Sequence, residues 1–355
     1  RIYTEYYAPL NNQAHLYQRR FFNEDGTVAY EEIIDEDAVM YQFPDRLICS
    51  KAELVGCLVS RLNLTKEDVV IIDRTTDIGQ TIMQNAEPAK IGIAVHADHF
   101  SESGTDEDHI LWNNYYEYAF SQHRYVDFYI VSTDAQNRLL TEQFRKYMGI
   151  TPFIATIPVG SVDELRYPEG GRREHSLITA SRLAGEKHVD WLIEAVWEAR
   201  KTVEHVSLDI YGKGGEEENL RRLIENLDCG EYIHLKGQYR MNHVYKAYEA
   251  YISASTSEGF GLTLMEAIGS GLPIIGFDVR YGNQNFIDEG ENGYKLPYHD
   301  RMDKKERIHV LAESIIRLFT QADLEKFHRH SYEKARTYLT EEVEKRWINL
   351  LDQMI

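Results

Sequence analysis

TSEGFGLTLMEAIGSGLPIIGFD, residues 256–278, decides the reading of this chain. A strand ends near Thr256. Glu258, Gly259, Phe260 and Gly261 follow, a helix is expected over 262–269, and an apolar strand over 272–278. Glycines at 259 and 261 let backbone N–H groups come close to a ligand, and a helix N-terminus favours an anion. The corner therefore suits a phosphate. Glu258 and Glu266, eight residues apart, invite comparison with a glycosidase pair, whose carboxyl groups stand about 5–9 Å apart. Eight residues of helix rise about 12 Å, and Glu258 precedes the helix. The two are better read as separate hydroxyl-binding carboxylates, against the plainer alternative of a glycine turn with two surface glutamates.

The same strand–helix rhythm extends in both directions. Apolar strands are expected at 175–182, 206–212, 232–237 and 250–256, with helices over 188–204, 216–227 and 241–249 between them. Upstream, 68–73, 89–96, 126–133 and 153–160 read as buried parallel strands, with helical patterns at 110–121 and 134–148, the second capped by Thr133 or Asp134. Ser50 caps a helix whose Glu53 completes a capping box. Alternation of near-continuous apolar strands with helices means α/β, doubly wound layers. We expect two Rossmann-like domains facing a ligand cleft, over 46–165 and 175–335, with the polar stretch 167–174 as linker. Residues 1–45 differ: short, Tyr-rich, alternating runs separated by turn signals predict an antiparallel meander, either a packed half-buried sheet or a docking surface for another protein. The last 50 residues read as all helical.

Composition narrows the function. The 355 residues carry a net charge of -19, which argues against nucleic acid and against general electrostatic docking on an anionic membrane. Mean hydropathy is -0.47 and no apolar run approaches 18 residues. The cysteines, Cys49, Cys57 and Cys229, lie far from any Cys-x-x-Cys spacing and are expected to be buried thiols in a reducing cytosol; the 14 histidines do not join them at zinc spacing. The chain opens without an initiator Met, and we expect residues to be missing before position 1.

Other strand ends carry weaker signals. Arg182 follows a strand, and Lys187 opens the next helix; two cations beside a glycine loop suit a diphosphate leaving group, although surface Arg and Lys are common. Gly212-Lys213-Gly214 is a Gly-rich strand end or only a tight turn, and Gln238-Tyr239 stands at another strand-to-helix corner. His96 ends an apolar strand and is expected to contact substrate; His99 is a weaker candidate. Asp106-Glu107-Asp108 and Asp35-Glu36-Asp37 have the D-x-D form of metal-dependent nucleotide-sugar enzymes, but both lie in charged stretches and read as solvated loops. No phosphate loop of NTPase type and no G-x-S-x-G elbow occurs.

Taken together, Glu258-GFGLTLM-Glu266, Arg182, Lys187 and the Gly212-Lys213-Gly214 loop resemble the GT-B glycosyltransferases, within retaining family 4. YQRRFFNEDG, VHADHFSE, IPVGSVDEL, TASRLAGEKHVDWL and FDVRYGNQNFIDEGENGYKLP are similar to the catalytic subunits of accessory-Sec O-GlcNAc transferases that modify serine-rich repeat adhesins of Gram-positive bacteria. The resemblance implies transfer of GlcNAc from UDP-GlcNAc to Ser or Thr hydroxyls of such an adhesin. It implies no metal or other cofactor, and a non-catalytic sister subunit docked through the sheet at 1–45. A cytoplasmic location is implied, with peripheral attachment to the inner face of the membrane as a further option.

Carried over by position, Glu258 and His96 would lie by the donor sugar. Arg182 and Lys187 would neutralise the departing diphosphate. Gly259, Phe260, Gly261, Leu262 and Thr263 would line the sugar and phosphate site with Gly212 and Lys213. Glu266 would take the ribose hydroxyls, and Gln238 or Tyr239 would lie near uracil. Helix 340–355, with Trp347, would cross back to the first domain. The Gly-rich loop that relatives carry after their first strand is expected to fall before position 1, because the chain starts too late to include it, and Tyr281-Gly282-Asn283-Gln284 stands where many relatives have a Gly-Gly-x-x-Glu turn. Three alternatives stay open: a teichoic acid α-glycosyltransferase, an inactive binding subunit of the same fold, and a metal-dependent enzyme of the other glycosyltransferase fold.

Overall fold

The computed structural model describes residues 2–35, 38–299 and 301–355. The chain forms two compact units: Arg1–Val95, His99–Tyr129 and Leu351–Ile355 make one, and His96–Asp98 with Ile130–Leu350 make the other. The boundary between the units falls within β10, inside the stretch 46–165, and residues 167–174 lie inside the second unit.

The first unit opens with a five-stranded antiparallel sheet in sequential order, β1 (Tyr3–Leu10), β2 (Gln13–Phe22), β3 (Val28–Asp35), β4 (Ala38–Gln42) and β5 (Leu47–Ile48). Asn11 and Asn12 both take positive φ, 52° and 60°, which gives the tight β1–β2 turn a twist matching its strands. Arg19 ties three strands together through Glu5 at 3.0 Å and Glu32 at 3.3 Å. An aromatic row, Tyr3, Phe21, Tyr30 and Phe43, crosses the same sheet with centroid spacings of 5.6, 4.5 and 5.1 Å. Asp35 ends β3; Glu36 and Asp37 of the second D-x-D stretch lie outside the described residues.

Helix α1 (Lys51–Ser60) begins as expected, with the Ser50 hydroxyl accepting from the Glu53 N–H at 3.1 Å. The Glu53 carboxylate, however, accepts from the N–H of Cys49, one residue before the cap, at 2.9 Å. Strand β6 (Val69–Ile72), helix α2 (Gly79–Asn85) and strand β7 (Lys90–Val95) follow, β6 and β7 pairing in parallel. The helix expected over 110–121 is only partly formed. Strands β8 (Phe100–Ser101) and β9 (Leu111–Trp112) pair as a short antiparallel ladder, and helix α3 is confined to Glu117–Ser121. His99 is fully buried here, within 5.2 Å of the Phe100 ring and 6.2 Å of the Trp112 ring, so it serves the core. Of the three cysteines only Cys229 is buried; Cys49, which precedes the Ser50 cap, is exposed and Cys57, within α1, is half-buried.

Strand β10 (Phe128–Val131) carries the chain from one unit into the other. Helix α4 (Asp134–Gln143), capped by Thr133, and strand β11 (Ile154–Thr156) come next. The second unit is then built on a six-stranded sheet: β12 (Ser176–Ala180), helix α5 (Val189–Ala199), β13 (Ser207–Tyr211), helix α6 (Glu217–Asn226), β14 (Ile233–Gly237), β15 (Ala250–Ser253), helix α7 (Leu262–Gly269), β16 (Ile274–Phe277), helix α8 (Gly282–Phe286) and β17 (Gly293–Leu296). All neighbours run parallel, in the order β14-β13-β12-β15-β16-β17. This is the 3-2-1-4-5-6 order of a Rossmann sheet. Alternate strand residues feed two cores. Leu177, Leu208, Ile275 and Phe277 pack with α5 and with α9 (Lys304–Gln321). Ile178, Tyr211 and Ile274 pack with α7 and with Ala335 of α10 (Leu324–Ala335). Helix α11 (Thr340–Met354) ends the chain.

Two expectations fail here. The segment 241–249 forms two 3-10 turns, Met241–His243 and Tyr245–Ala247, in place of a helix. The carbonyls of Lys246 and Tyr248 accept from the Arg172 guanidinium at 3.1 and 2.8 Å. Arg172 also reaches Ser270 O and the Tyr332 hydroxyl, so the stretch expected as a solvated linker is stitched into the unit.

Candidate active site

Strand order reverses between β12 and β15, and open parallel sheets bind ligands beyond the carboxyl ends of strands at such a point. A pocket of about 370 Å³ lies there, bounded by Thr179–Arg182 at the end of β12, Ser253–Ser255 at the end of β15, and Glu258–Thr263, which lead into the first turn of α7. His96, Val159, Lys187 and Tyr251 complete its wall. Every one of these residues belongs to the second unit.

Local structure explains how the wall is held. The Glu258 N–H donates to Arg280 O at 3.0 Å, and Glu258 O accepts from the N–H groups of Tyr281 and Gly282 at 2.6 and 2.8 Å. The loop is thereby pinned at its first residue, where the unexpected 281–284 sequence supplies the anchor. Gly259 passes so close to His96 that a Cβ there would stand 2.9 Å from His96 O. Beneath the loop, the Tyr251 hydroxyl donates to Ala180 O at 2.9 Å and lies 3.0 Å from Thr263 Oγ1, whose hydroxyl can donate to it. Burial pushes that phenol up to about 12, so it stays a neutral donor.

The charged groups are ordered in pairs. Lys187 Nζ lies 2.8 Å from Glu258 Oε2, both side chains largely buried. Lys187 sits in a 3-10 turn (Gly185–Lys187), ahead of α5 instead of within it. Arg182 is exposed and meets Glu186 at 3.0 Å. Glu266, one helical stretch further into α7, accepts from the Tyr245 hydroxyl at 3.0 Å. Burial raises its carboxyl, while Tyr245 and the charge of Arg166 pull it partly back.

The structure therefore gathers His96, Arg182, Lys187, Glu258, Gly259, Phe260, Gly261, Leu262 and Thr263 around one pocket. It leaves Gly212, Lys213, Gln238, Tyr239 and Glu266 outside that wall. Gly212 lies at φ 139°, with Ser181 O where a Cβ would be, so the Gly212–Gly214 loop is pressed against the β12 end; Leu183 N–H donates to Lys213 O at 3.0 Å. Tyr239 is exposed, its ring edge-on to Tyr211 at 5.6 Å. Sequence reasoning missed Thr179, Ser181, Tyr251, Ser253, Ser255 and Tyr245. The strand-end rule alone would have found the β12 and β15 residues; nothing local marked Tyr245. Asp106 accepts from the N–H groups of Asp108 and His109, which makes its acidic run a turn. Among the described residues no group of three or more His, Cys, Asp or Glu is placed to hold a metal ion.

Comparison with known proteins agrees with this geometry. Residues 169–334 match the model of glycosyl transferases group 1, and residues 1–45 that of the GtfA extended beta-sheet domain. The whole chain is 52% identical to the UDP-N-acetylglucosamine–peptide N-acetylglucosaminyltransferase GtfA subunit of Streptococcus gordonii, covering 70% of that relative. Its structure is similar to that of the pneumococcal O-GlcNAc transferase GtfA in complex with UDP and GlcNAc, with a TM-score of 0.93 at 48% identity over 99% of this chain and 70% of the other. A GtfA/B complex contains a chain matching at a TM-score of 0.94 and 52% identity over all of this chain and 71% of that one.

Proposed function

The chain belongs to the GtfA family of UDP-N-acetylglucosamine–peptide N-acetylglucosaminyltransferase subunits, and from that premise we propose how its pocket works and on what. It is a glycosyltransferase of the GT-B fold class that transfers GlcNAc from UDP-GlcNAc to Ser or Thr hydroxyls of a protein acceptor, with GtfB as its partner subunit. The acceptor we infer is a serine-rich repeat adhesin, modified in the cytoplasm before export, with the enzyme free or peripheral on the membrane's inner face. No helix among the described residues is long and apolar enough to cross a membrane.

The observation that carries the reading is the Lys187–Glu258 pair, 2.8 Å apart, in the wall of the switch-point pocket. Lys187 keeps N–H donors beyond the one given to Glu258, and these neutralise charge growing on the departing diphosphate. Arg182 and the amides of Gly259, Phe260 and Gly261 add to that field without a metal ion. His96 and Glu258 border the sugar. Glu266 takes the ribose hydroxyls, and Gln238 or Tyr239 meets uracil. In the step we favour, the anomeric C–O bond to phosphate breaks while the acceptor oxygen bonds the same face. The hydroxyl proton passes to the departing phosphate oxygen, and UDP leaves.

The test is to incubate the protein, with and without GtfB, with UDP-GlcNAc and a Ser/Thr-rich repeat peptide in EDTA, and to weigh the peptide. Gain of one N-acetylhexosamine mass per modified site is the expected result. No gain in either condition while UDP still binds would overturn the acceptor, and gain only without EDTA would overturn the metal-free chemistry.

A further inference from the structure

Lys187 carries the proposed chemistry, yet little of its own segment fixes it. The chain leaves β12, is anchored at Leu183, which is 1% exposed, and runs through Ala184 into the 3-10 turn Gly185–Lys187. Gly185 and Glu186 are exposed, and the Arg182–Glu186 pair lies at the surface, where such a pair holds little. Burial resumes at Val189, the first residue of α5. The joint between turn and helix is His188. It sits at φ 44° and ψ 44°, in the left-handed region, and its side chain gives no cap to α5. Its N–H donates to Gly185 O at 3.1 Å, and its carbonyl accepts from the Trp191 N–H at 3.0 Å. The imidazole instead lies flat on the Trp191 indole, with ring centroids 3.7 Å apart and planes 7° from parallel. That indole is a fixed platform. It is 5% exposed, with Phe277 of β16 edge-on to it at 6.1 Å and Arg307 of α9 over its ring at 5.0 Å.

We infer that His188 is a positioning residue of this transferase, holding the Lys187 ammonium in the donor pocket by stacking on Trp191. No proton transfer or substrate contact is asked of the imidazole. With the ring at rest on its platform, the turn is fixed at both ends, at Leu183 and at His188. Lysine's four-carbon stem is flexible, so Glu258 holds the ammonium only where the backbone of residue 187 is delivered within reach. The left-handed backbone by itself does not call for histidine, since Asn and Gly adopt it as readily. The flat stack gives the ring its use. The inference rests on Lys187 as the group that stabilises the departing diphosphate, and adds what keeps it there.

The test uses the chain with GtfB, UDP-GlcNAc and the repeat peptide, at a temperature where every variant is folded. His188→Asn keeps a residue that tolerates the left-handed backbone and removes the ring. It is expected to lower kcat about fivefold to tenfold, the size of one aromatic stack expressed as a rate, and to leave KM for UDP-GlcNAc within about twofold. His188→Phe keeps a ring and is expected to recover most of the loss. In a Lys187→Met background His188→Asn should cost nothing more, because the group through which it acts is gone. Position is read separately, from the rate at which an amine-acetylating reagent labels Lys187, followed by peptide mass spectrometry. His188→Asn is expected to speed that labelling about threefold or more, as a loosened segment opens more often, while the other lysines keep their rates. Full activity in His188→Asn with unchanged labelling of Lys187 would overturn the inference. So would a loss that multiplies with that of Lys187→Met, or faster labelling of all lysines alike, which marks general loosening. Faster labelling of Lys187 alone, with full activity in both His188→Asn and Lys187→Met, would sink the transferase role of Lys187 and leave the positioning standing.

Discussion

At the scale of single residues, the Lys187–Glu258 pair constrains the chemistry most. Two opposite charges 2.8 Å apart and largely withdrawn from water fix each other's position. Glu258 is anchored through its backbone by Arg280, Tyr281 and Gly282, so the carboxylate acts as the post and Lys187 as the mobile group held to it. Removing the ammonium should therefore cost transition-state stabilisation. Lys187→Met is expected to lower kcat by roughly 10²–10³, the usual loss for one preorganised electrostatic donor. Glu258→Gln keeps the shape and releases Lys187; about a tenfold smaller loss is expected, and the double variant should fall short of the product of the two. Steady-state kinetics with UDP-GlcNAc at saturation checks all three, and near-full transfer by Glu258→Gln would remove that carboxylate from any major role. Both residues were legible in the sequence as strand-end charges. Their pairing was not, because it joins positions 71 apart and depends on the strand order.

At the scale of elements, sequence reading worked where both ends of a segment were marked. Helix 262–269 has glycines at either side and came out with its expected bounds. Strand β17 (Gly293–Leu296) was missed, since four residues after a polar turn carry little pattern, and 241–249 was misread as one helix where the chain makes two separate 3-10 turns. The same part of the unit holds a titratable joint. His328 of α10 is 8% exposed, with Nδ1 2.7 Å from Gly271 O. Burial, aided by the Arg172 charge and opposed by the Gly271 carbonyl, pushes the imidazole down to about 4 from 6.5. The folded chain then keeps this histidine neutral between those values while the unfolded chain takes up a proton, so stability falls as pH drops from about 6.5 to about 4. The contribution at neutral pH that disappears is at most about 3 kcal/mol. His328→Gln, which retains a donor for Gly271 O, should flatten that part of the curve of melting temperature against pH. An unchanged slope would assign the acid sensitivity to other groups, such as Asp288, whose carboxyl is held low by Lys334 and His330 against the effect of its burial.

At the scale of the whole molecule, the five-stranded sheet stands apart in composition and in what it exposes. Its meander was legible because alternation and Asn-Asn and Asp-Gly turns are local signals. Its purpose was not, since a Tyr-rich sheet serves packing or docking alike. The structure separates these uses by residue. Phe21 and Tyr30 are stacked into the aromatic row, and Arg19 and Arg20 are engaged with glutamates, whereas Tyr3, Tyr7, Leu10 and Tyr17 remain exposed by 50, 54, 54 and 41%. Exposed tyrosines of this kind make strong anchors when a partner covers them. If GtfB docks on this sheet, Tyr7→Lys with Tyr17→Lys should weaken the complex at least tenfold in analytical ultracentrifugation, because each substitution sets a charge in a surface meant to be desolvated. UDP affinity should stay unchanged, as the donor pocket is built wholly from the other unit. A complex of undiminished affinity in this variant would place the docking surface elsewhere and leave the exposed tyrosines without a partner.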